Sequence, residues 1–207
     1  MFITLIIIAV TAITSILALN NRALSDKLLF SPYMISNHRQ GYRFLTHALV
    51  HGDWMHLLVN MFVLFSFGQA VEAYYSQLFM LKGAYFYTLL YVGGTALSST
   101  PSFAKHKTDP YYRAVGASGA VSAVVFASIL IEPLSPIRFA FFPVDIPAFI
   151  FGALYLAYSA YMARKGHDNI GHDAHFYGAV FGIVFTLILK PALFMGFINK
   201  IGIFLGA

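Results

Sequence analysis

Ser118 stands in the stretch Gly116-Ala117-Ser118-Gly119, and His175 in His172-Asp173-Ala174-His175-Phe176-Tyr177-Gly178, with Gly182 one turn further on. A hydroxyl and an imidazole are the parts needed for acyl transfer with a serine nucleophile: Ser118 attacks and His175 accepts its proton. His56 and Asn60 are spaced i, i+4, which puts them on one face of a helix, where they can add donors to the oxyanion site. A helix that opens at Ser118 contributes its free N–H groups, that of Ser118 included, and its positive dipole end to the same oxyanion. Gly116, Gly119, Gly178 and Gly182 remove side chains where two helices have to touch. Asp173 lies two residues before His175 and faces elsewhere on a helix, so a dyad is expected rather than a triad. With no cysteine in the chain, disulfides, thiolate metal sites and a cysteine nucleophile are excluded.

The elements that must position these groups follow from composition. Hydrophobic residues make up 59% of the 207 and charged ones 10%, too few to cover a water-soluble globule. The expected class is an all-α polytopic membrane protein, a single domain over residues 1–207. Apolar runs predict six membrane helices at about 2–19, 54–73, 80–100, 115–132, 143–163 and 174–194. The first run lacks the basic leader and short apolar core of a cleaved signal, so it is expected to persist as a helix. Residues 20–53 are polar yet rich in aromatics and are expected to lie in the interface, while the tail 196–207 reads as a frayed helix end or an interfacial segment. The net charge of +5 comes from scattered Lys and Arg without a cluster, which excludes nucleic acid as a partner.

Antiparallel threading of six spans brings loops 1, 3 and 5 (about 20–53, 101–114 and 164–173) out on one side, with loop 4 (about 133–142, with Pro133 and Pro136, and Pro143 just beyond) on the other. His56 with Asn60, Ser118 and His175 each follow an odd-numbered loop, so they gather at similar depth on one face. An ionisable group inside a span costs about 2.5–3.5 kcal/mol, which makes each one a functional candidate. Taken singly, each motif has a plainer reading: Gly178-x-x-x-Gly182 as helix packing, Ser118 as a cap, His56 and Asn60 as an interhelix contact. Packing alone does not call for histidines on two different spans. A metal reading also exists, because His47, His51, His56, His172 and His175 resemble the histidine boxes of membrane oxygenases; against it, no HxxHH occurs.

Taken in order, these residues resemble the rhomboid intramembrane serine proteases. Gly116-Ala117-Ser118-Gly119 is similar to that family's GxSG, and His175-x-x-Gly178-x-x-x-Gly182 to its HxxGxxxG, which implies Ser118 as nucleophile and His175 as base. His56-x-x-x-Asn60 resembles its HxxxN, which implies an oxyanion hole of His56, Asn60 and Ser118. His47-Ala-Leu-Val-His51 and Gly68-Gln-Ala-Val-Glu72 also match, as structural loop histidines and a hydrogen-bonding glutamate. The resemblance runs from about Tyr42 to Lys190. It departs at Tyr42-Arg43, where many members have Trp-Arg, although Arg43 is kept. It departs again at Ser122, where some bacterial members place a tyrosine that packs on the histidine ring; here His175 is expected to be held by Tyr177, Phe176 or a neighbouring helix.

The resemblance implies an endopeptidase that needs no cofactor or metal, with transmembrane protein substrates and the lipid bilayer as partners, in the bacterial inner membrane. It leaves the oligomeric state open. A substrate segment is expected to pass between spans 2 and 5 or through loop 5, and a polar cavity lined by His56, Asn60 and His175 is expected to admit water. A catalytically inactive scaffold of the same family is the alternative; intact Ser118 and His175 argue against it. Orientation is contested: loops 1, 3 and 5 carry nine of the 13 Lys and Arg, which by the positive-inside rule puts the site in the cytoplasm, whereas the family implies an outward-facing site. The family expectation is adopted.

Overall fold

The computed structural model describes residues 2–139, 142–166 and 170–206; residues 140–141 of the expected loop 4 and 167–169 of the expected loop 5 lie outside the described residues. The protein is mostly helical. The long helices are α1 (Ile3–Leu19), α5 (Trp54–Phe79), α6 (Gly83–Ser98), α8 (Ser118–Ile131), α9 (Ala148–Lys165), α10 (His172–Leu189) and α11 (Ala192–Leu205). Short helices α2 (Arg22–Leu28), α3 (Pro32–His38) and α4 (Arg43–Thr46) build the first loop, and α7 (Thr100–His106) follows α6. By length and composition, two helical stretches among the described residues are fit to cross a membrane, Trp54–His106 and His172–Leu189. Ile3–Leu19, Ser118–Ile131 and Ala192–Leu205 are apolar but shorter.

The hub is α8. Every residue of it except Ser118 and Ser128 is buried, with α5, α6 and α10 packed around it. Such an enclosed helix has to be apolar on nearly all sides, and apart from Ser118, Ser122 and Ser128 the Ser118–Ile131 sequence is. Glycines set how closely its neighbours approach. A Cβ at Gly94 of α6 would lie 2.8 Å from that of Ala123, and one at Gly178 or Gly182 of α10 would run into the carbonyl oxygens of Gly119 and Ala123. The α8–α10 contact is therefore backbone against backbone, the geometry that small residues permit.

The first loop is a folded platform. Asn21 and Ser31 cap α2 and α3 by accepting the N–H groups of Leu24 and Met34. Arg43 is buried and donates to the carbonyls of Leu29 (2.7 Å) and Asp26 (2.9 Å) and to Gln40 Oε1 (2.7 Å), which ties the platform together. A backbone bridge between Phe30 and Ala114 joins it to the strand of chain that leads into α8. At the far end of α5, Glu72 accepts the N–H groups of Ile3 and Thr4 and the Thr4 hydroxyl, so a carboxylate caps the positive end of α1.

Several boundaries differ from the sequence expectation, beginning with α5, which runs to Phe79 where span 2 was expected to end at about 73. Span 5 was expected from 143, but Phe142–Pro147 forms strand β2, paired antiparallel with β1 (Pro136–Phe139) in the register Pro136↔Pro147 and Ile137↔Ile146. Pro147, extended at ψ 134°, defers the helix to Ala148. Span 6 was expected to 194, but α10 stops at Leu189, because Pro191 biases Lys190 away from helical backbone. The tail is α11, none of whose residues is buried; its Lys200 donates to the Ile131 carbonyl (3.0 Å) and Glu132 (2.9 Å), a cation at the negative end of α8.

Candidate active site

Ser118 is the first residue of α8 and half-buried, preceded by Ala117, which offers no side-chain cap. The N–H groups of the first turn of an α-helix have no partner within the helix, so this end of α8 presents donors and a positive dipole beside the hydroxyl. The loop that delivers Ser118 is held from three directions. Gly116 has φ +112°, open to glycine and costly for other residues, and donates its N–H to the His47 carbonyl at 3.0 Å. The Ala117 N–H donates to His51 Nε2 at 3.4 Å. The His56 ring lies over the Gly116 Cα, where a Cβ would come within 2.6 Å of it.

His51 is the keystone of this support. An amide can only donate, so Nε2 is the acceptor, and Nδ1–H donates to Ser15 Oγ of α1 at 3.1 Å. The arrangement requires neutral imidazole. Burial, with the nearby His56 adding to it, lowers the His51 pKa to about 4, against the pull of Asp53. Burial also lowers that of His47 to about 4. Both lie in the first loop, where they contact the segment that leads into α8.

His175 sits on the first turn of α10, half-buried, with its N–H donating to the Gly171 carbonyl. The Gly119–Gly178 contact sets the next turn of α10 against the first turn of α8. The structure thus brings Gly116, Gly119, Gly178, His51 and His56 around the start of α8, with Ser118 and His175 on adjoining helix starts. Asn60 is buried one turn below His56 and donates to the His56 carbonyl at 2.9 Å. Glu72 takes no part, lying 16 residues, or about 24 Å, further along α5.

Some functional surroundings were not expected. Asp173, read as facing away, accepts from Ser102 of α7 and from the Ala174 N–H, which pins the start of α10 to α7. Ser98 of α6 packs on the Gly119 Cα. The His175 ring stacks on Tyr155 of α9, centroids 6.2 Å apart and planes 26° from parallel, so of the expected holders the neighbouring helix is the one seen, while Tyr177 is exposed. Ser15 carried a faint signal, since Thr4, Thr11 and Ser15 are the buried polar residues of α1; Tyr155, one aromatic among many, carried none. The expected polar cavity is not among the two cavities described. The larger, about 280 Å³, is apolar and lies between α8, α9, α10 and α11; the other, about 200 Å³, lies beside Leu45 and Thr95. Among the described residues no three His, Asp or Glu are grouped as a metal ion would need.

Comparison with known proteins follows the same residues. The family model for the Rhomboid domain matches residues 38–192. RHOMBOID-like protein 12, mitochondrial, of Arabidopsis thaliana is 28% identical over 173 residues, 76% of this chain and 50% of that protein. Rhomboid-like protein 11, chloroplastic, of the same plant is 27% identical over 174 residues, 77% of this chain and 56% of that protein. The chain spans about half the length of these curated relatives. Their names lend no support to the bacterial inner membrane expected from the sequence.

Proposed function

The chain belongs to the rhomboid family, a family of membrane-embedded proteins, and from that premise we propose that it is a serine endopeptidase cutting transmembrane segments of other proteins through a Ser118–His175 dyad. The observation that carries this reading is the backbone contact of Gly119 with Gly178, which sets the second turn of α10, directly beyond His175, against the first turn of α8. Ser118 Oγ attacks the scissile carbonyl while the His175 imidazole takes its proton. The oxyanion is met by the Ser118 N–H at the uncapped end of α8 and by His56 and Asn60. His175 then gives the proton to the leaving amine, and water, deprotonated by the same imidazole, releases the acyl group.

Within this reading α1, α5, α6, α8, α9 and α10 are the six spans, residues 1–207 form one membrane domain, and the site faces outward. Substrates are transmembrane proteins that reach the site between α5 and α9 or through the loop before α10. A bilayer is the proposed setting; a bacterial inner membrane rests on the sequence expectation alone. Reconstitution with a transmembrane substrate tests the proposal. Wild-type protein in liposomes cleaves it and Ser118→Ala does not, whereas cleavage by Ser118→Ala at the wild-type rate overturns the serine mechanism.

A further inference from the structure

We infer that Tyr155 is a positioning residue of His175, acting from α9 and anchored on α8 through Ser122. The inference rests on the dyad reading above and extends it to a residue on a helix that carries neither member of the dyad.

A general base has to offer one ring nitrogen to the nucleophile and hold that attitude through proton transfer, and small misplacements are costly to rate. His175 sits at a half-buried helix start, where backbone packing fixes its Cα but leaves two side-chain torsions to be set by neighbours. Tyr155 supplies a face for the ring: centroids 6.2 Å apart and planes 26° from parallel fall in the range of offset stacking. Its own position is fixed. The Tyr155 hydroxyl is 2.8 Å from Ser122 Oγ, buried one turn beyond Ser118 on α8, and its ring is flanked by Phe126 and Phe151 at 5.6 and 5.8 Å. The line Ser118, Ser122, Tyr155, His175 therefore refers the proposed nucleophile and base to each other by a route separate from the glycine contact of α8 with α10.

A second pair repeats the register. Tyr158, one turn along α9, meets His172 edge-on at 5.4 Å, and His172 meets His175 edge-on at 5.9 Å. Two residues of α9 spaced i, i+3 thus face two histidines of α10 with the same spacing. Elsewhere α9 is loosely held, with only Ala148, Gly152 and Ser159 buried. At the level of the site, these aromatic contacts and the Ser122 bond are what join α9 to α8 and α10.

The test compares turnover of a transmembrane substrate and the rate of fluorophosphonate labelling in purified variants. Tyr155→Leu keeps an apolar side chain and loses the ring; it is expected to lower kcat and the labelling rate by about tenfold to a hundredfold with KM within about twofold. Tyr155→Phe and Ser122→Ala each remove only the interhelix hydrogen bond and are expected to cause the same smaller loss, with no further loss when combined. These two near-isosteric variants keep the test decisive if Tyr155→Leu does not fold. Ser122→Tyr introduced into Tyr155→Leu returns a ring to the same space and is expected to restore part of the rate, which a purely structural role would not produce. Labelling and kcat at wild-type levels in Tyr155→Leu overturn the inference alone. Wild-type protein that neither labels nor cleaves overturns the dyad, and the inference with it.

Discussion

The imidazole of His56 rests directly on the Cα of Gly116: a methyl group there would lie 2.6 Å from Cε1 and 2.7 Å from Nε2. The contact joins the start of α5 to the residue two before the proposed nucleophile, and it exists only because position 116 has no side chain. Gly116→Ala must either displace the His56 ring or move the loop, and it also forces a side chain to adopt φ +112°. The expected cost is about 1–3 kcal/mol of stability, with proteolysis falling further than stability because His56 leaves the proposed oxyanion site. Thermal unfolding in detergent alongside turnover checks it; unchanged turnover would remove His56 from the site.

Gly182 is expected to be as intolerant for a different reason. Its would-be Cβ meets the Ala123 carbonyl, a backbone atom that cannot rotate away. Gly182→Ala therefore pushes α10 off α8 and costs about 1–3 kcal/mol, with loss of activity from the separated helix starts. Gly196→Ala on α11, where nothing lies within 4 Å, is the matched control and is expected to leave both unchanged.

Arg43 does its work by geometry as well as charge. Arg43→Ala leaves the buried carbonyl of Leu29 without its donor and is expected to cost about 1–3 kcal/mol, whereas Arg43→Lys recovers only part because an ammonium lacks the planar fork. Urea or thermal unfolding of the two variants orders them; equal stability of all three proteins would show that the first loop does not depend on this side chain.

His47 and His51 predict an acid limb. Their folded pKa values, lowered to about 4 chiefly by burial, lie below the value near 6.5 of an unfolded chain. Above about pH 6.5 both states are neutral at these sites and the native state keeps its full stability. As pH falls from there toward about 4, the unfolded chain takes up protons that the native state refuses, so stability declines by about 1.4 kcal/mol per unit for each histidine. Melting temperature measured from pH 7 to pH 4 should fall through this window, and His51→Gln should flatten the slope. A flat profile for the wild type would contradict the buried neutral assignment.

Much of the candidate site was legible from the sequence because its parts are short and local. Gly116 to Gly119, His175 to Gly182 and His56 with Asn60 announce themselves by spacing, and threading gathers them at one end of the bundle. What could not be read was set by tertiary partners. Tyr155 is one tyrosine in an aromatic run, and only the docking of α9 shows that it meets His175. Asp173 had a helical face assigned without knowledge that α7 passes beside it with Ser102. Apolar content marked 143–147 as membrane helix, whereas pairing with Pro136–Phe139 made it strand. The break at Lys190 was visible in Pro191, but an unbroken apolar run outweighed it.

The central claim is that Ser118 is activated by His175, and fluorophosphonate labelling of the detergent-purified protein tests it most directly. The reagent forms a covalent bond with a serine only when a base removes its proton and donors receive the oxyanion, so it reports the arrangement without requiring the natural substrate. Labelling of the wild type that is lost in both Ser118→Ala and His175→Ala is the expected result. Labelling that persists in Ser118→Ala, or a folded wild type that is not labelled at all, would contradict it.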